Sequence, residues 1–158
     1  MSFRIKIVTV GKIKTDFWLA AEAEFTKRIK RYADLKYVIT QEASLNSLRN
    51  QQLVVQREAE SIRKNITAND FLIALSPGGK QFTSESFASF FSQKSLHGTN
   101  QFTMLIGGPL GLDEDILKQS DLILSLSKMT LPHELAKVVL LEQVYRAFTI
   151  MRGEKYHK

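Results

Sequence analysis

Five short apolar runs, each followed by a stretch with helical spacing, organise the chain from end to end. No other feature constrains its fold as much. Residues 3–10 (FRIKIVTV) alternate and are rich in β-branched types, so they read as a strand that Gly11 ends. The other strands are 36–40 (KYVIT), 70–75 (DFLIAL), 102–106 (FTMLI) and 122–126 (LILSL). The run at 70–75 is almost continuously apolar, as expected for a strand covered on both faces. A helix is predicted over 16–32, with Thr15 or Asp16 as N-cap and Phe17, Leu19, Ala20, Ala21, Ala23, Phe25, Ile29 and Tyr32 as its apolar positions. A second runs over 47–66 with Leu48, Val55, Ala59 and Ile62 inward, and a third from a cap at Thr83 or Ser84 to about Ser95. Asp113 caps a short helix to about Ser120, and Pro132 suits the start of a last helix from about His133 to Met151.

This β-α pattern predicts one α/β domain over 1–158, with a mostly parallel sheet covered by helices on both faces. Ligands of such sheets sit beyond the carboxyl ends of the strands. Ser76-Pro77-Gly78-Gly79 reads as a turn, and the breaks at 107–111 and 127–132 also follow strands. All three are expected at that edge.

Composition removes several classes of chemistry. There is no cysteine, which excludes disulfides, thiolate metal sites and a cysteine nucleophile. His97, His133 and His157 are far apart in sequence and have no ligand-spaced partners, so no metal is expected. No apolar run approaches the ~18 residues of a membrane helix. The opening Met-Ser-Phe-Arg-Ile-Lys-Ile-Val alternates instead of forming an apolar block, so no secretion signal and a cytoplasmic location are expected. The net charge of +6 is uneven. Residues 1–36 hold nine Lys/Arg against four Asp/Glu, residues 37–127 seven against nine, and residues 128–158 six against three. The basic ends make nucleic acid the first candidate partner.

Gly107-Gly108-Pro109-Leu110-Gly111 follows a strand, where glycines let a ligand approach the backbone and its N–H donors. It is neither G-x-G-x-x-G nor a Walker loop, so neither NAD nor ATP is supported; a ligand-free tight turn is the alternative. Ser127-Lys128-Met129-Thr130-Leu131-Pro132 is short and largely apolar, and either walls an adenine ring or is an ordinary loop. The last helix is apolar nearly all round, which calls for burial in a core or an oligomer interface. Within it Glu142 and Arg146 are four apart, with the acid first, the favourable order for a pair on one face. In the tail, Tyr156 is placed to stack on a base and His157 to handle a proton near neutral pH, unless the terminus simply frays.

Four blocks then fall into a known order: Leu105 to Leu112, Ser125 to His133, Leu141 to Ala147, and Tyr156-His157. With the opening strand ending in Val10-Gly11-Lys12 and the overall length, they resemble the ribosomal RNA large subunit methyltransferase H family, a minimal branch of the SPOUT methyltransferases. Residues 40–70 are not diagnostic. The resemblance implies a C-terminal trefoil knot, a rare exception to the unknotted rule, holding S-adenosylmethionine. It implies a homodimer packed partly through the last helix. It further implies methylation at N3 of a pseudouridine in 23S ribosomal RNA, with the assembled ribosome as substrate. By position, Leu75, Gly107, Gly108 and Ser127, Lys128, Met129, Thr130, Leu131 and Pro132 are expected to line the cofactor pocket. Glu142, Arg146, Tyr156 and His157 are expected near the target base, with His157 ahead of Glu142 as the base. Lys12, Lys14, Lys27, Arg28, Lys30 and Arg31 are the expected phosphate contacts. The alternatives are a SPOUT methyltransferase of other RNA, a ribosome-binding knot domain without chemistry, and an unrelated nucleotide-binding domain.

Overall fold

The computed structural model describes residues 2–44 and 50–158. The elements run β1 (Phe3–Val10), α1 (Asp16–Ile29), β2 (Ala33–Thr40), α2 (Gln51–Arg63), β3 (Phe71–Lys80), α3 (Ser84–Leu96), β4 (Gln101–Ile106), α4 (Glu114–Gln119), β5 (Leu122–Leu124) and α5 (His133–Met151). The five strands form one sheet in the order β2-β1-β4-β3-β5, and every pairing is parallel.

Strand alternation assigns the two faces. Phe3, Ile5 and Ile7 of β1 point into a cluster with Ile29 of α1, Phe87 and Phe91 of α3, and Leu140, Val144 and Phe148 of α5. Val8 and Val10, on the other face, meet Ala59 and Ile62 of α2 and Ile116 of α4. Helices α1, α3 and α5 therefore cover one face and α2 with α4 the other. The larger face is filled by aromatic rings, with Phe91 and Phe102 in edge contact at 4.9 Å, geometry that adds to simple area burial.

Three expectations change in detail. Strand β2 begins at Ala33, since the register with β1 starts at the pair Phe3 and Ala33, and α1 correspondingly stops at Ile29. The inward residues of α2 include Val54 and Glu58 beside Ala59 and Ile62, while Val55 is only half-buried; Leu48 lies outside the described residues. The largest change is at Ser76-Pro77-Gly78-Gly79, which is not a turn between elements. Strand β3 continues through it to Lys80, with a register shift against β5 between Leu75 and Lys80. A bulge of this kind accommodates a proline that has no N–H to give. Gly79 is required there, because a Cβ would lie 2.6 Å from the Ile123 carbonyl oxygen. The partner strand β5 is shorter than expected: Ser125 donates its N–H to the Lys80 carbonyl at 2.9 Å, and the chain then leaves the sheet.

Buried Lys137 fixes the carboxyl end of β1. Its side chain is fully buried, and Nζ donates to the carbonyls of Val10 at 3.2 Å and Gly11 at 2.7 Å. Burial lowers its pKa. The Lys14 N–H donates to Glu134 at 2.6 Å, so the loop after β1 is tied to the first turn of α5 at two points.

Candidate active site

At the carboxyl edge of the sheet, three chain breaks and the start of α5 enclose a cavity of about 600 Å³. Leu75, Ser76 and Pro77 come from the bulge in β3, and Ile106 to Leu112 from the end of β4 and its loop. Leu124, Leu126, Ser127 and Met129 to Pro132 come from the end of β5 and its loop, and His133 and Ala136 from α5. Of the expected cofactor residues, Leu75, Gly107, Gly108, Ser127, Met129, Thr130, Leu131 and Pro132 line this cavity. Lys128 does not, and is exposed to solvent instead. The sequence reading did not pick out Ser76, Pro77, the strand ends Ile106 and Leu124, or Leu126, His133 and Ala136 as lining. The break at 76–79 was expected at this edge, but its individual residues were not named as lining.

The loop after β4 is shaped by close backbone approach. A Cβ on Gly107 would sit 2.6 Å from the Gly111 carbonyl carbon and oxygen. Gly111 adopts φ +83, and its N–H closes the turn onto the Gly108 carbonyl at 3.0 Å. Behind Gly108 lies buried Glu58, whose carboxylate accepts the Ala43 N–H at 3.1 Å. Burial raises the Glu58 pKa. The Ser127 hydroxyl accepts the Met129 N–H at 2.9 Å and turns the second loop. Among the described residues lining the cavity, His133 is the one titratable side chain and no cation is present. Such walls fit a flat, uncharged ring bound by backbone groups better than a phosphate.

The second group of expected residues assembles further along α5. Glu142 Oε1 accepts Arg146 Nε at 3.0 Å and the Tyr156 hydroxyl at 2.9 Å. Arg146 faces His157 Nδ1 at 3.3 Å and lies over the Tyr156 ring at 4.6 Å. The Tyr156 ring meets Tyr145 edge-on at 4.7 Å. Bonding to Glu142 holds the Arg146 pKa up, while burial and then the same carboxylate raise that of the Tyr156 hydroxyl. The tail is therefore docked and not frayed. Two further bonds hold it: the Glu154 N–H donates to the Thr149 carbonyl at 2.9 Å, and the Tyr32 hydroxyl to the Glu154 carboxylate at 2.7 Å. All four expected residues are together. The additional members are Ser84, Glu85 and Gln143, whose roles depend on how α3 packs on α5 and leave no mark in sequence.

Among the described residues, no side-chain hydrogen bond or ion pair links the two groups. Ala136 is the last α5 residue on the cavity, and Glu142 and Arg146 follow at about 9 and 15 Å along the helix axis at 1.5 Å per residue.

The basic residues divide likewise. Lys12 and Lys14 are exposed beside the cavity edge, while Lys27, Lys30 and Arg31 are exposed at the far end of α1, about 20 Å away. Arg28 is already engaged, donating to Glu24 at 2.7 Å with its guanidinium over Phe25 and Tyr145. Lys30 and Arg31 line a groove of about 700 Å³ with Arg152, which the sequence reading did not single out.

A parallel α/β domain with a glycine-bounded, largely apolar cavity at its carboxyl edge is of the class whose ligands bind at that edge. The family model described as predicted SPOUT methyltransferase matches residues 3–157, and the chain belongs to this family. It is 46% identical over 98% of its length to the ribosomal RNA large subunit methyltransferase H of Bifidobacterium adolescentis, covering 99% of that protein. It is 45% identical, with the same coverage, to the protein of that name from Carboxydothermus hydrogenoformans. Among solved structures, a probable methylase family protein from Haemophilus influenzae superposes with a TM-score of 0.54 at 15% identity, over 98% of this chain and 70% of that one. That likeness supports the fold. The protein is a methyltransferase.

Proposed function

We propose that the protein methylates N3 of a pseudouridine in the 23S ribosomal RNA of the large subunit, acting on the assembled ribosome and using S-adenosylmethionine, as a homodimer in the cytoplasm. The observation that carries this reading is the pairing of a cation-free cavity with a separate polar cluster on the same helix. The names of the relatives supply the RNA class. Among the described residues no helix is long and apolar enough to cross a membrane, and no group of three or more His, Asp or Glu is placed to hold a metal.

In this reading Leu75, Gly107, Gly108, Ser127 and Met129 to Pro132 hold the adenosyl part, with backbone groups toward the base and apolar side chains around it. The chain after β5 completes the trefoil knot around the same loops. Bound there, a sulfonium donor supplies a methyl group that needs no further activation. What the protein must add is alignment and removal of the N3 proton. His157 takes that proton. Arg146 is oriented by Glu142 and stabilises charge on the flanking carbonyl oxygen. Tyr156 stacks on the base. Lys12, Lys14, Lys27, Lys30 and Arg31, with Arg28 where it is released from Glu24, grip phosphates.

The dimer gives the separation along α5 a purpose. Phe17 and Met129 are 65% and 79% exposed near the cavity edge, and a second copy that covers them can bring its own tail to this cavity. The deciding experiment is methyl transfer from labelled S-adenosylmethionine to ribosomes with and without the pseudouridine, the product mapped by mass spectrometry. Label at N3, lost when uridine replaces pseudouridine, is expected. Tight donor binding without label would move the substrate to another RNA, and no donor binding by calorimetry would leave a ribosome-binding module.

A further inference from the structure

The polar cluster is a run of hydrogen bonds that the Ser84–Glu85 peptide link closes into a ring, and it ends on Glu85, which no role above uses. Ser84 donates to Gln143 Oε1 at 2.8 Å, and Gln143 donates to Glu142 Oε2 at 2.7 Å. Arg146 donates to Glu142 Oε1 and faces His157 Nδ1. His157 Nε2 is 2.8 Å from Glu85 Oε1, and Glu85 is the residue after Ser84. Three elements close on one another: the first turn of α3, the middle of α5 and the tail.

Donor and acceptor chemistry fixes the direction of the last two bonds. A guanidinium only donates, so Nδ1 accepts. A carboxylate only accepts, so Nε2 carries the proton. The hydrogen-bond network thus assigns His157 as the neutral Nε2–H form. Glu85 is held for this task. Thr83 caps α3 by accepting the Ser86 N–H at 3.1 Å, which fixes the turn that carries Glu85. Its own backbone N–H, then the imidazole and the Thr83 hydroxyl, hold its carboxyl below the usual glutamate range.

We propose that Glu85 is the positioning residue for His157: it accepts the Nε2 proton, leaves Nδ1 as the basic nitrogen turned toward Arg146, and balances the charge the ring gains when it takes a proton. The proposal rests on the reading of His157 as base. In the step itself, the acceptor nitrogen gives its proton to Nδ1 and forms the new bond to the methyl carbon with its own electron pair. The carbon–sulfur bond breaks with its pair left on sulfur, giving a neutral thioether. Arg146 keeps Glu142 throughout, and only its 3.3 Å contact with Nδ1 yields to the substrate. Glu85 is largely exposed, so the proton then leaves through it to water.

The test uses the full chain and Glu85→Gln, Glu85→Ala and Glu85→Asp. Proton NMR of the His157 ring, assigned with His157→Gln, is followed against pH beside single-turnover methyl transfer. The other groups linked to the ring, Arg146 directly and Glu142 and the Tyr156 hydroxyl through it, are unchanged in all three variants. The ring should titrate at lower pH in Glu85→Gln and Glu85→Ala than in the parent. Transfer should slow roughly tenfold in Glu85→Ala, with unchanged donor affinity and recovery in Glu85→Asp, the scale on which orienting partners usually act. An identical ring titration in parent and Glu85→Gln would overturn the proposal, as would a displaced titration with undiminished transfer in every variant. A displaced titration in a parent that transfers no methyl group would retain the Glu85–His157 coupling and discard the methyl-transfer reading.

Discussion

At the scale of single residues, two buried ions carry stabilising roles that can be measured. Lys137 satisfies two carbonyls at the end of β1 from a site with no exposure. Lys137→Met keeps the volume and removes the donors, leaving both carbonyls unpaired. We expect a loss of about 1–3 kcal/mol, read from urea unfolding. Asp70 is the second. Burial pushes its carboxyl up, but bonds from Thr67, Gln101 and Lys6 outweigh that and leave the pKa well below the usual aspartate range. A carboxyl depressed by folding contributes stability above its unfolded value of about 3.9 and loses it as the pH falls through the folded value. Stability of the parent should therefore fall more steeply below about pH 4 than that of Asp70→Asn, in acid titrations followed by circular dichroism.

At the scale of elements, the sequence carried the alternation well because each strand is a dense apolar run and most helices have a recognisable start. What it hid had physical reasons. Pro77, Gly78 and Gly79 are turn formers by intrinsic preference, and only the pairing of the flanking Leu75 and Lys80 with β5 carries the strand through them. Helix α2 has so many polar residues that its phase is ambiguous by one position, and Glu58 is buried where a carboxylate is least expected. Spacing made Glu142 and Arg146 legible as one pair and Tyr156 and His157 as another; that the two pairs meet was implied only by the family resemblance. Glu85 was not legible, because its partner is 72 positions away. The glycine loop gives the prediction at this scale. Gly107→Ala sets a methyl group 2.6 Å from the Gly111 backbone, so this loop must shift; calorimetry should find donor binding lost while circular dichroism shows the fold retained.

At the scale of the whole molecule, the cavity and the polar cluster lie apart along α5 of one chain. If they are halves of one site and a second copy supplies the missing half, a Gly107→Ala chain and a His157→Ala chain fail separately but complement when mixed. In the mixed dimer one cavity is intact and faces an intact tail, so co-refolded variants should regain methyl transfer that neither shows alone. Absence of recovery in a verified heterodimer would place both halves of each site within a single chain. The basic groups at opposite ends of α1 belong to this scale too. Charge reversal at Lys30, Arg31 and Arg152 should weaken ribosome binding and flatten its salt dependence without changing donor affinity.

The all-parallel order of the sheet also has a consequence for how the molecule comes to exist. Among the described residues no two strands are joined by a hairpin, and the central pair of β1 and β4 unites Arg4 with Gln101. Closing so long a loop precedes any return from the contacts it creates, which places the chain among slow folders. Folding rate as well as final stability is then exposed to change in β1, the strand through which β2 joins the rest of the sheet.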